Sequence, residues 1–470
     1  MKKLKLNLVV LGTGLASLNF IDKYLEKKDH RIDVISPNFN EINRQDKKYS
    51  NNFFYNKKYI PFSLLKKKTN ISDYFKLNNF VVQGDVKPLG SLEFGGLSNY
   101  WGLQIDDCIN KDIDILPISE KKKLKVLFHE LLNKFRFYGK FASKDIFYEN
   151  SFKISNHIEN LLESKNKNFF FTKPILALFK KKNQRSSKRF SATEFYKHYL
   201  KKKKIKFHNL FVKKIFLKKN YSKLICFDGK KNIQINAKKV VIGCGTLVTT
   251  KLLAEALNIK KEIRIYEHSR YLVFFILKKR IVDFLKRNTS QLNMLLKHKG
   301  KLALADFRTG NEIILNTLKI NFKFIKPIIK LMSFFKNYML FSNVLLDSSF
   351  SNLYMKQKKT KFIIFEKKKK NIRLIIEQKK IFKKIYKILK KINFILPIYK
   401  LFFSKNGSSY HYFGTIPISN KKIKLSTNFN CQLKNFKNVY IIDGSVFNFK
   451  ENKFPLGVIM ANARRIAEKF

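Results

Sequence analysis

The chain contains 470 residues, 45% of them hydrophobic and 14% aromatic, which excludes an intrinsically disordered protein and allows two domains. Its formal net charge of +65 favours an anionic partner, either a nucleic acid or a membrane surface. The abundance of Lys, Asn, Ile and Phe is also explained by A/T-rich codons, which would place lysine wherever any solvated residue is tolerated.

The first predicted unit is a strand, a glycine turn, a helix and a second strand. These segments are 7–11, 12–14, 15–28 and 31–36. With Ser17, the turn matches GxGxxS: Gly12 permits a tight turn, and Gly14 lets the backbone approach a pyrophosphate at the helix N-terminus. A basic start followed by apolar residues also occurs in signal peptides. The second strand favours a nucleotide-binding unit instead.

One feature of a dinucleotide site is absent from this unit. An acidic residue normally ends the second strand and binds the adenosine ribose, but Ser36 stands at that position. Asp33 lies three residues earlier and therefore on the opposite face of the strand. The sequence predicts a departure in ribose recognition.

A glycine-rich block at 94–102 contains the single tryptophan of the sequence. The adjacent Gly95 and Gly96 permit a close approach of the backbone to a flat cofactor. Ser98 and Asn99 can donate hydrogen bonds to it. A tight turn that ends on a core aromatic residue explains the same block, so both interpretations stay open.

The middle of the chain is predicted to alternate strands and helices. The dipeptide Asp228-Gly229 within an alternating apolar pattern predicts a β-hairpin. The apolar run 240–243 ends in a glycine turn before a helix, which repeats the signal seen at the N-terminus. The predicted helices are 117–136, 192–203 and 247–257.

Residues 266–405 are predicted to form a separate module. The segment 361–377 predicts two strands around a lysine turn, and 379–396 predicts a helix that Pro397 ends or kinks. Lysines beside a broad apolar face occur in helices that lie on a membrane surface, and 321–341 is similar. A helix packed on the core with a solvated lysine face also explains both segments, and for 379–396 this interpretation is favoured.

The C-terminal part combines a histidine with an acidic turn. His411 lies just before a Gly-Thr turn. Residues 439–442 predict a strand, Asp443 and Gly444 a turn, and a helix closes the chain. A lone histidine is more often structural than catalytic, but a neutral imidazole can accept a proton near pH 7. His411 is therefore a candidate base.

Together these blocks resemble, in content and in order, the glucose–methanol–choline family of FAD-dependent oxidoreductases. The similar blocks are GTGLAS, FGGLSNYWG, VVIGCGTLVTTKLL, SYHYFGT, NVYIIDGSVF and VIMANARRIA. The resemblance implies bound FAD and implies that His411 is the catalytic base. It also implies a set of cofactor-binding residues: Gly12, Gly14 and Ser17 at the pyrophosphate, Gly95, Gly96, Ser98 and Asn99 along the flavin, and Asp443 and Gly444 closing the site.

The resemblance departs from the family pattern before the last helix. The family usually has His or Asn directly before a proline there, whereas this chain has Phe454 before Pro455. Asn452 lies two residues too early. A second catalytic polar group is therefore missing, shifted or supplied by another part of the chain.

The resemblance implies an α/β fold with a discontinuous, Rossmann-like FAD-binding domain and a second sheet-plus-helix domain. The first would comprise 1–105, 186–262 and 406–470. The second, a substrate or cover domain, would comprise 106–185 and 263–405. The implied activity is oxidation of a CH–OH group of an alcohol, such as a sugar or polyol, by hydride transfer to flavin N5. We expect a dehydrogenase rather than an oxidase, with an electron acceptor that the sequence does not identify.

Two other functions stay open. One is a basic peripheral-membrane or nucleic-acid-binding protein on a degenerate flavoprotein scaffold, which Ser36 and Phe454 keep in consideration. No recognisable nucleic-acid-binding module accompanies the basic stretches, which disfavours nucleic acid relative to an anionic membrane surface. The other retains FAD for a different redox reaction, such as reduction of a C=C bond.

The cysteine pattern indicates the kind of cellular compartment in which the protein is found. They show no CxxC or other metal-ligand spacing, which predicts no metal site and favours a reducing environment. No apolar run reaches the ~18 residues that a membrane span needs. We expect a cytoplasmic protein, with the inner membrane surface as a second location. The four cysteines are Cys108, Cys226, Cys244 and Cys431.

Overall fold

The structure is a computed structural model, and it describes most of the chain in separate segments. The described residues are 3–28, 30–37, 69–99, 101–106, 112–135, 169–172, 174–179, 188–190, 192–277, 292–298, 301–309, 334, 338–367, 372–390, 394–397, 402–403, 406–421, 423–450 and 453–470.

The described segments contain both strands and helices. The strands are β1 Lys3–Leu11, β2 Ile32–Ser36, β3 Phe80–Gln83, β4 Gln104–Ile105, β5 Phe169–Thr172, β6 Ile175–Leu176, β7 Leu178–Phe179, β8 Lys188–Arg189, β9 Ile205–Asn209, β10 Phe211–Leu217, β11 Ser222–Phe227, β12 Asn232–Ile242, β13 Ile263–Ile265, β14 Arg270–Leu277, β15 Leu292–His298, β16 Lys301–Thr309, β17 Met339–Leu345, β18 Leu353–Lys358, β19 Lys361–Glu366, β20 Phe394–Pro397, β21 Phe402–Phe403 and β22 Val439–Ile441. The helices are α1 Leu15–Lys27, α2 Thr69–Leu77, α3 Ile118–Lys134, α4 Ala192–Lys201, α5 Thr246–Ala256, α6 Ile372–Lys390 and α7 Leu456–Ala467.

The first sheet brings the two ends of the chain together. Within the described segments its order is β10-β11-β12-β1-β2-β9, and β22 also pairs with β12. β1 lies between β12 and β2, parallel to both, and Val9, Val10 and Leu11 are fully buried, as is typical of a parallel sheet covered on both faces. Because β12 and β22 are also parallel, the turns after Leu11, Ile242 and Ile441 lie at one carboxyl edge.

The second sheet is antiparallel and separates a helix from the C-terminal loop. Its order among the described strands is β20-β14-β17-β16-β15-β5, with β21 also on β14. One face packs against α6 through Ile381, Phe382 and Ile385. The other face presents a leucine cluster that contacts Phe454: Leu295, Leu304 and Leu345. A smaller sheet, β13-β18-β19-β3, joins residues 80–83 to residues 353–366.

Most of the local predictions are confirmed. The α/β class is confirmed, and the helices α1, α3, α4 and α5 match their predicted segments to within two residues. The hairpin at Asp228-Gly229 is confirmed, because β11 and β12 pair antiparallel on either side of it and Gly229 has a φ of +98°. The predicted helix at 321–341 lies largely outside the described residues, and 339–341 belong to β17.

Two predictions in the second module are wrong. The strand partner of β19 precedes it: β18 and β19 pair across a turn at Lys359, whose φ is 54°. Residues 372–377, predicted as a strand, begin α6 because Ile381, Phe382 and Ile385 bury one face of a longer helix. That helix ends at Lys390, and 394–397 form the edge strand β20, where a proline is tolerated.

A buried ion-pair network joins α7 to α1. Arg464 Nη1 contacts Asp22 Oδ2 at 2.5 Å, and its Nη2 contacts Glu26 Oε1 at 3.0 Å. The side chains of Arg464 and Asp22 are 1% and 2% exposed. Lys134 of α3 reaches the same Asp22 oxygen at 2.6 Å. The network therefore ties three helices together behind the parallel sheet.

We predict that Arg464→Met destabilises the protein by about 3 kcal/mol, because removing the buried guanidinium leaves the carboxylates of Asp22 and Glu26 to share the charge of Lys134. Urea unfolding monitored by circular dichroism measures this. The matched control is Lys367→Ala, which removes the exposed partner of Glu262 and should leave the midpoint unchanged. Equal midpoints for both variants would contradict the prediction.

Candidate functional site

The turns at the carboxyl edge of the first sheet touch through their backbones. Gly12, after β1, has a φ of +92°, a conformation that favours glycine. A Cβ atom on Gly12 would lie 2.5 Å from the carbonyl oxygen of Gly243, which follows β12. A Cβ atom on Gly243 would in turn lie 2.3 Å from Ser17 Oγ. These three residues fix the spacing between α1 and the two strand ends.

Ser17 faces the sheet. Its buried hydroxyl lies 3.5 Å from the carbonyl oxygen of Leu11 and 3.4 Å from that of Gly243. The structure therefore uses Ser17 for close packing of α1 on the strand ends. A phosphate contact by Ser17, which the family resemblance implies, is not indicated by this orientation.

Gly14 leaves the start of α1 open. It is the N-cap residue, its backbone is extended, and no side chain caps the helix there. A Cβ atom on Gly14 would meet nothing within 4 Å. The first N–H groups of a helix have no partner inside it, and with the helix dipole they favour an anion. The N-terminus of α1 offers space and donors that suit a phosphate.

The hydroxyl of Thr13 links the first turn to the glycine-rich block. It accepts the N–H of Gly95 at 3.0 Å and lies 3.2 Å from Ser36 Oγ at the end of β2. Asp33 is engaged elsewhere, since its Oδ1 lies 2.6 Å from His208 Nε2. Ser36 therefore lies next to the first glycine turn, whereas Asp33 is paired with His208. Thr13 belongs to the GTG turn but was not among the predicted site residues.

The glycine-rich block forms a tight, partly open turn. Gly95 and Gly96 have φ values of +86° and +58°, and a Cβ atom on Gly96 would meet nothing within 4 Å. Ser98 Oγ donates to the carbonyl of Gly95 at 2.6 Å, and Asn99 Nδ2 donates to that of Phe94 at 2.8 Å. These two side chains brace the turn, and Gly96 presents its open face.

The acidic turn lies against the loop that carries His411. Asp443 is buried, and it accepts the N–H of Ser445 at 3.1 Å and the hydroxyl of Thr249 at 2.5 Å. Burial raises the pKa of Asp443 above its usual value. A Cβ atom on Gly444 would lie 2.8 Å from the carbonyl oxygen of Tyr412, so glycine is needed for this close approach.

Three threonines of α5 bond to the His411 loop and to the acidic turn. These contacts were not predicted from the sequence. Thr246 Oγ1 donates to the carbonyl of Tyr412 at 2.6 Å, and Thr250 Oγ1 lies 2.6 Å from Thr415 Oγ1. Together with Thr249 they occupy positions i, i+3 and i+4, which share one helix face. The sequence TLVTT shows this spacing, which could have predicted a polar face of α5.

A second segment, residues 266–270, holds the His411 loop and is called the clamp segment. Within it, the buried carboxylate of Glu267 accepts the N–H of Gly407 and the hydroxyl of Ser409, both at 2.6 Å. Arg270 Nη2 donates to the carbonyl of Ser408 at 2.6 Å. Burial raises the pKa of Glu267. The sequence prediction did not single out any residue of the clamp segment.

The residue before His411 has an unusual backbone. Tyr410 has a φ of +62°, a left-handed conformation that costs a non-glycine residue about 1 kcal/mol or more. Its ring lies 5.4 Å from the Arg270 guanidinium. The clamp segment therefore stabilises a loop conformation that the local sequence does not prefer.

Two aromatic rings lie beside that of His411. The ring centroid of His268 is 6.3 Å away and that of Phe454 is 5.4 Å away, and both meet His411 nearly edge-on. The backbone N–H of Phe454 donates to Asp106 Oδ2 at 2.7 Å. His411 Nδ1 is buried and has no hydrogen-bond partner among the described residues. Asn452 lies outside the described part of the chain.

The environment of His411 favours the neutral imidazole. Although part of the residue is accessible, burial of the ring lowers the pKa of His411 to about 3, and His268 and Arg270 act in the same direction. A neutral ring keeps one nitrogen lone pair free to accept a proton. The site therefore combines an open helix N-terminus, an open glycine turn and a neutral histidine.

Within the part of the chain that the structure describes, no group of three His, Cys, Asp or Glu side chains is placed to hold a metal ion. A search of the same residues finds no helix with the length and apolar character that crossing a bilayer requires.

Comparison with known proteins gives a likeness of fold without a match of sequence. No family model and no curated protein matches the chain. The crystal structure of pyridoxine 4-oxidase from Mesorbium loti is similar, with a TM-score of 0.67 over 99% of this chain and 99% of that chain, at 12% identity. A likeness at this identity shows the fold alone, so membership of the family that the motifs resemble stays a prediction.

We predict that His411→Gln reduces the loss of stability on acidification. The pKa of His411 is about 3 in the folded chain and about 6.5 in an unfolded one. Between these values only the unfolded chain binds the proton, so the wild type loses stability as the pH falls below about 6.5. Urea midpoints at pH 7 and pH 5 measure the difference, which should be smaller for the variant.

The matched control is His129→Gln, a change at an exposed position of α3. It should lose as much stability between the two pH values as the wild type does. If His411→Gln follows the wild type as well, the imidazole of His411 is not held neutral by its surroundings.

Proposed function

We propose that the chain is an FAD-dependent oxidoreductase that oxidises the CH–OH group of an alcohol. The observation that supports this most directly is the continuity between the open turn at Gly14 and the loop of His411. Gly12 touches Gly243 after β12, and Gly444 after β22 accepts the N–H of Gly414 at 3.1 Å. One sheet edge therefore carries both a dinucleotide-type turn and a neutral histidine.

The glycine turns fit a dinucleotide cofactor. Gly14 and Gly96 lack side chains at two positions where a Cβ atom would point into open space. In the proposal the N-terminus of α1 would hold the pyrophosphate, and the turn of Gly95 and Gly96 would border the flavin. Asp443 and Gly444 border the same cofactor from the C-terminal side. Bound FAD would accept the hydride that leaves the carbinol carbon.

His411 has the role of the base in this proposal. Because Nδ1 is buried, we assign proton acceptance from the substrate hydroxyl to Nε2. The positive charge of Arg270 in the clamp segment favours the negative charge that develops on the oxygen as its proton leaves. Afterwards the low pKa of His411 favours release of the proton, which returns the base to its neutral form.

The domain boundaries, the substrate class and the type of electron acceptor are proposed from the family resemblance. FAD would bind within 1–105, 186–262 and 406–470, and 106–185 with 263–405 would cover the substrate. We propose a small alcohol, sugar or polyol as substrate, and a dehydrogenase rather than an oxidase. The name of the similar structure, pyridoxine 4-oxidase, makes pyridoxine a suitable first test alcohol and oxygen a necessary test acceptor.

We predict that the purified protein shows flavin absorbance at close to one FAD per chain, and that Gly14→Asp abolishes it. A Cβ atom at position 14 meets no steric obstacle and aspartate is a good N-cap residue, so the fold should persist. Its charge would repel the pyrophosphate. Absorbance before and after heat release of the flavin measures occupancy, and Gly14→Ala, which adds no charge, is the matched control.

A colourless wild-type protein that also fails to take up added FAD would contradict the proposal. So would a Gly14→Asp variant that binds FAD as tightly as Gly14→Ala does. In the first case, salt-sensitive binding to anionic vesicles would be the next property to measure.

We predict that His411→Ala retains FAD but reduces it about 10²–10⁴-fold more slowly with an alcohol, which is the usual contribution of a general base. Anaerobic stopped-flow absorbance with pyridoxine, benzyl alcohol, sorbitol and glucose 6-phosphate measures the rate. His129→Ala should reduce at the wild-type rate. Unchanged flavin reduction in His411→Ala would remove His411 from the mechanism.

A further inference from the structure

The helix α6 is held on the second sheet by one face. The apolar residues that bury this face are Ile381, Phe382 and Ile385. One turn earlier, the carboxylate of Glu377 lies 2.5 Å from Nε2 of His298, the last residue of β15. These contacts fix the rotation of α6 about its own axis, so its opposite face points away from the sheet.

That opposite face carries a row of cations. The helix contains six lysines and one acidic residue, Glu377, which is directed towards the sheet. All six lysines are exposed, and among the described residues only Lys380 contacts a carboxylate, that of Glu377 at 3.8 Å. The outward face therefore presents positive charge that the described part of the chain leaves almost uncompensated. The six residues are Lys379, Lys380, Lys383, Lys384, Lys387 and Lys390.

Two isoleucines extend this row towards the start of the helix. Ile372 and Ile376 are 65% and 44% exposed. Residues three, four or seven positions apart share one face of a helix, so these two side chains and four of the lysines form a single line, which we call the outer stripe. At 1.5 Å per residue it is about 27 Å long. Its members are Ile372, Ile376, Lys379, Lys383, Lys387 and Lys390.

The composition of the outer stripe fits an anionic membrane surface. Lysine side chains gain from the negative potential of such a surface, whereas isoleucine side chains gain only when they leave water for an apolar layer. A frequent use of lysine at solvated positions accounts for the cations, but not for two exposed isoleucines in line with them. A phosphate backbone would attract the lysines and offer the isoleucines no apolar layer.

Docking through the outer stripe is compatible with the candidate site. The helix α6 covers one face of the second sheet, and Phe454, whose ring lies beside that of His411, contacts the leucine cluster on the other face. The sheet therefore separates the outer stripe from His411. A membrane bound at α6 would not come between a substrate and His411.

We propose that the outer stripe of α6 is a docking surface for membranes that contain anionic lipids. The helix would lie parallel to the membrane, with its lysines at the headgroups and with Ile372 and Ile376 at the boundary between headgroups and acyl chains. This inference goes beyond the proposed oxidoreductase function and does not depend on it, because the contact needs neither bound FAD nor turnover.

Sedimentation with vesicles tests the charge of the outer stripe. We expect the wild type to bind vesicles of equimolar phosphatidylcholine and phosphatidylglycerol, more weakly as salt is added, and not to bind phosphatidylcholine alone. A fourfold variant should bind at least about 100-fold more weakly, since each lysine near an anionic surface contributes about fivefold. A wild type that stays in solution with both kinds of vesicle would overturn the proposal. The changes in this variant are Lys379→Gln, Lys383→Gln, Lys387→Gln and Lys390→Gln.

A matched control separates the outer stripe from the overall charge of the chain. Four exposed lysines lie in the two loops that join β10 to β11 and β11 to β12. Changing them to glutamine lowers the net charge by the same amount and should weaken vesicle binding by no more than about threefold. Equal losses in the two variants would contradict the proposal, because binding would then reflect total charge. The control changes are Lys218→Gln, Lys219→Gln, Lys230→Gln and Lys231→Gln.

The isoleucines distinguish a membrane from a nucleic acid. In Ile372→Ser with Ile376→Ser we expect vesicle binding to fall about tenfold, because less apolar surface leaves water, and any binding of duplex DNA to stay the same. The matched control is Ile118→Ser with Val126→Ser, which changes two residues of α3 that are 72% and 57% exposed and should bind as the wild type does. Vesicle binding that ignores both isoleucines, or tighter binding of duplex DNA through the same lysines, would refute membrane docking.

A measurement on the wild type does not depend on any variant. Acetylation of amines followed by mass spectrometry reports how fast each lysine reacts with and without anionic vesicles. We expect vesicles to slow the labelling of Lys383 and Lys387 relative to that of Lys218 and Lys231. Equal slowing of both sets, or none at α6, would count against docking through this helix. Because every substituted side chain is exposed, the urea midpoints of the variants should match that of the wild type.

Discussion

The structure depends on the close passage of two glycine turns at the carboxyl edge of the parallel sheet. β1 and β12 are neighbours, and the turns after them approach until a Cβ atom on Gly12 would overlap the carbonyl of Gly243. Because β22 also pairs with β12, the acidic turn at Asp443 joins the same edge. Every part of the candidate site is positioned relative to this contact, since the remaining elements attach to one of these three turns.

A second constraint acts on the loop of His411. Tyr410 adopts a left-handed backbone and His411 a nearly buried position, and neither is favourable by itself. The clamp segment offsets both costs through the carboxylate of Glu267, the guanidinium of Arg270 and the backbone pairing at Tyr266. Loops that store strain in this way occur at functional sites. The same pairing places the buried ring of His268 beside His411.

The sequence predicted the parts of the fold in which local pattern and tertiary environment agree. The strand and helix around Gly12, the hairpin at Gly229 and the helix after Gly245 all appear as expected. Prediction was wrong in 361–396, where apolar residues at short spacing suit either a strand or a helix. There the secondary structure depends on contacts with residues outside the segment. β19 pairs with β18, α6 packs on the second sheet, and β20 pairs with β14.

The sequence by itself determined the glycine turns, the order of the strands and helices around them, and the position of His411 in the chain, because backbone conformation and hydrophobic period are local properties. Only the tertiary structure decided which side chains meet. It turned Ser17 towards the sheet and engaged Asp33 with His208. It also brought His268 opposite His411, although the two lie far apart in the sequence. Contacts of this kind follow from the pairing of distant segments, and no local pattern encodes that pairing.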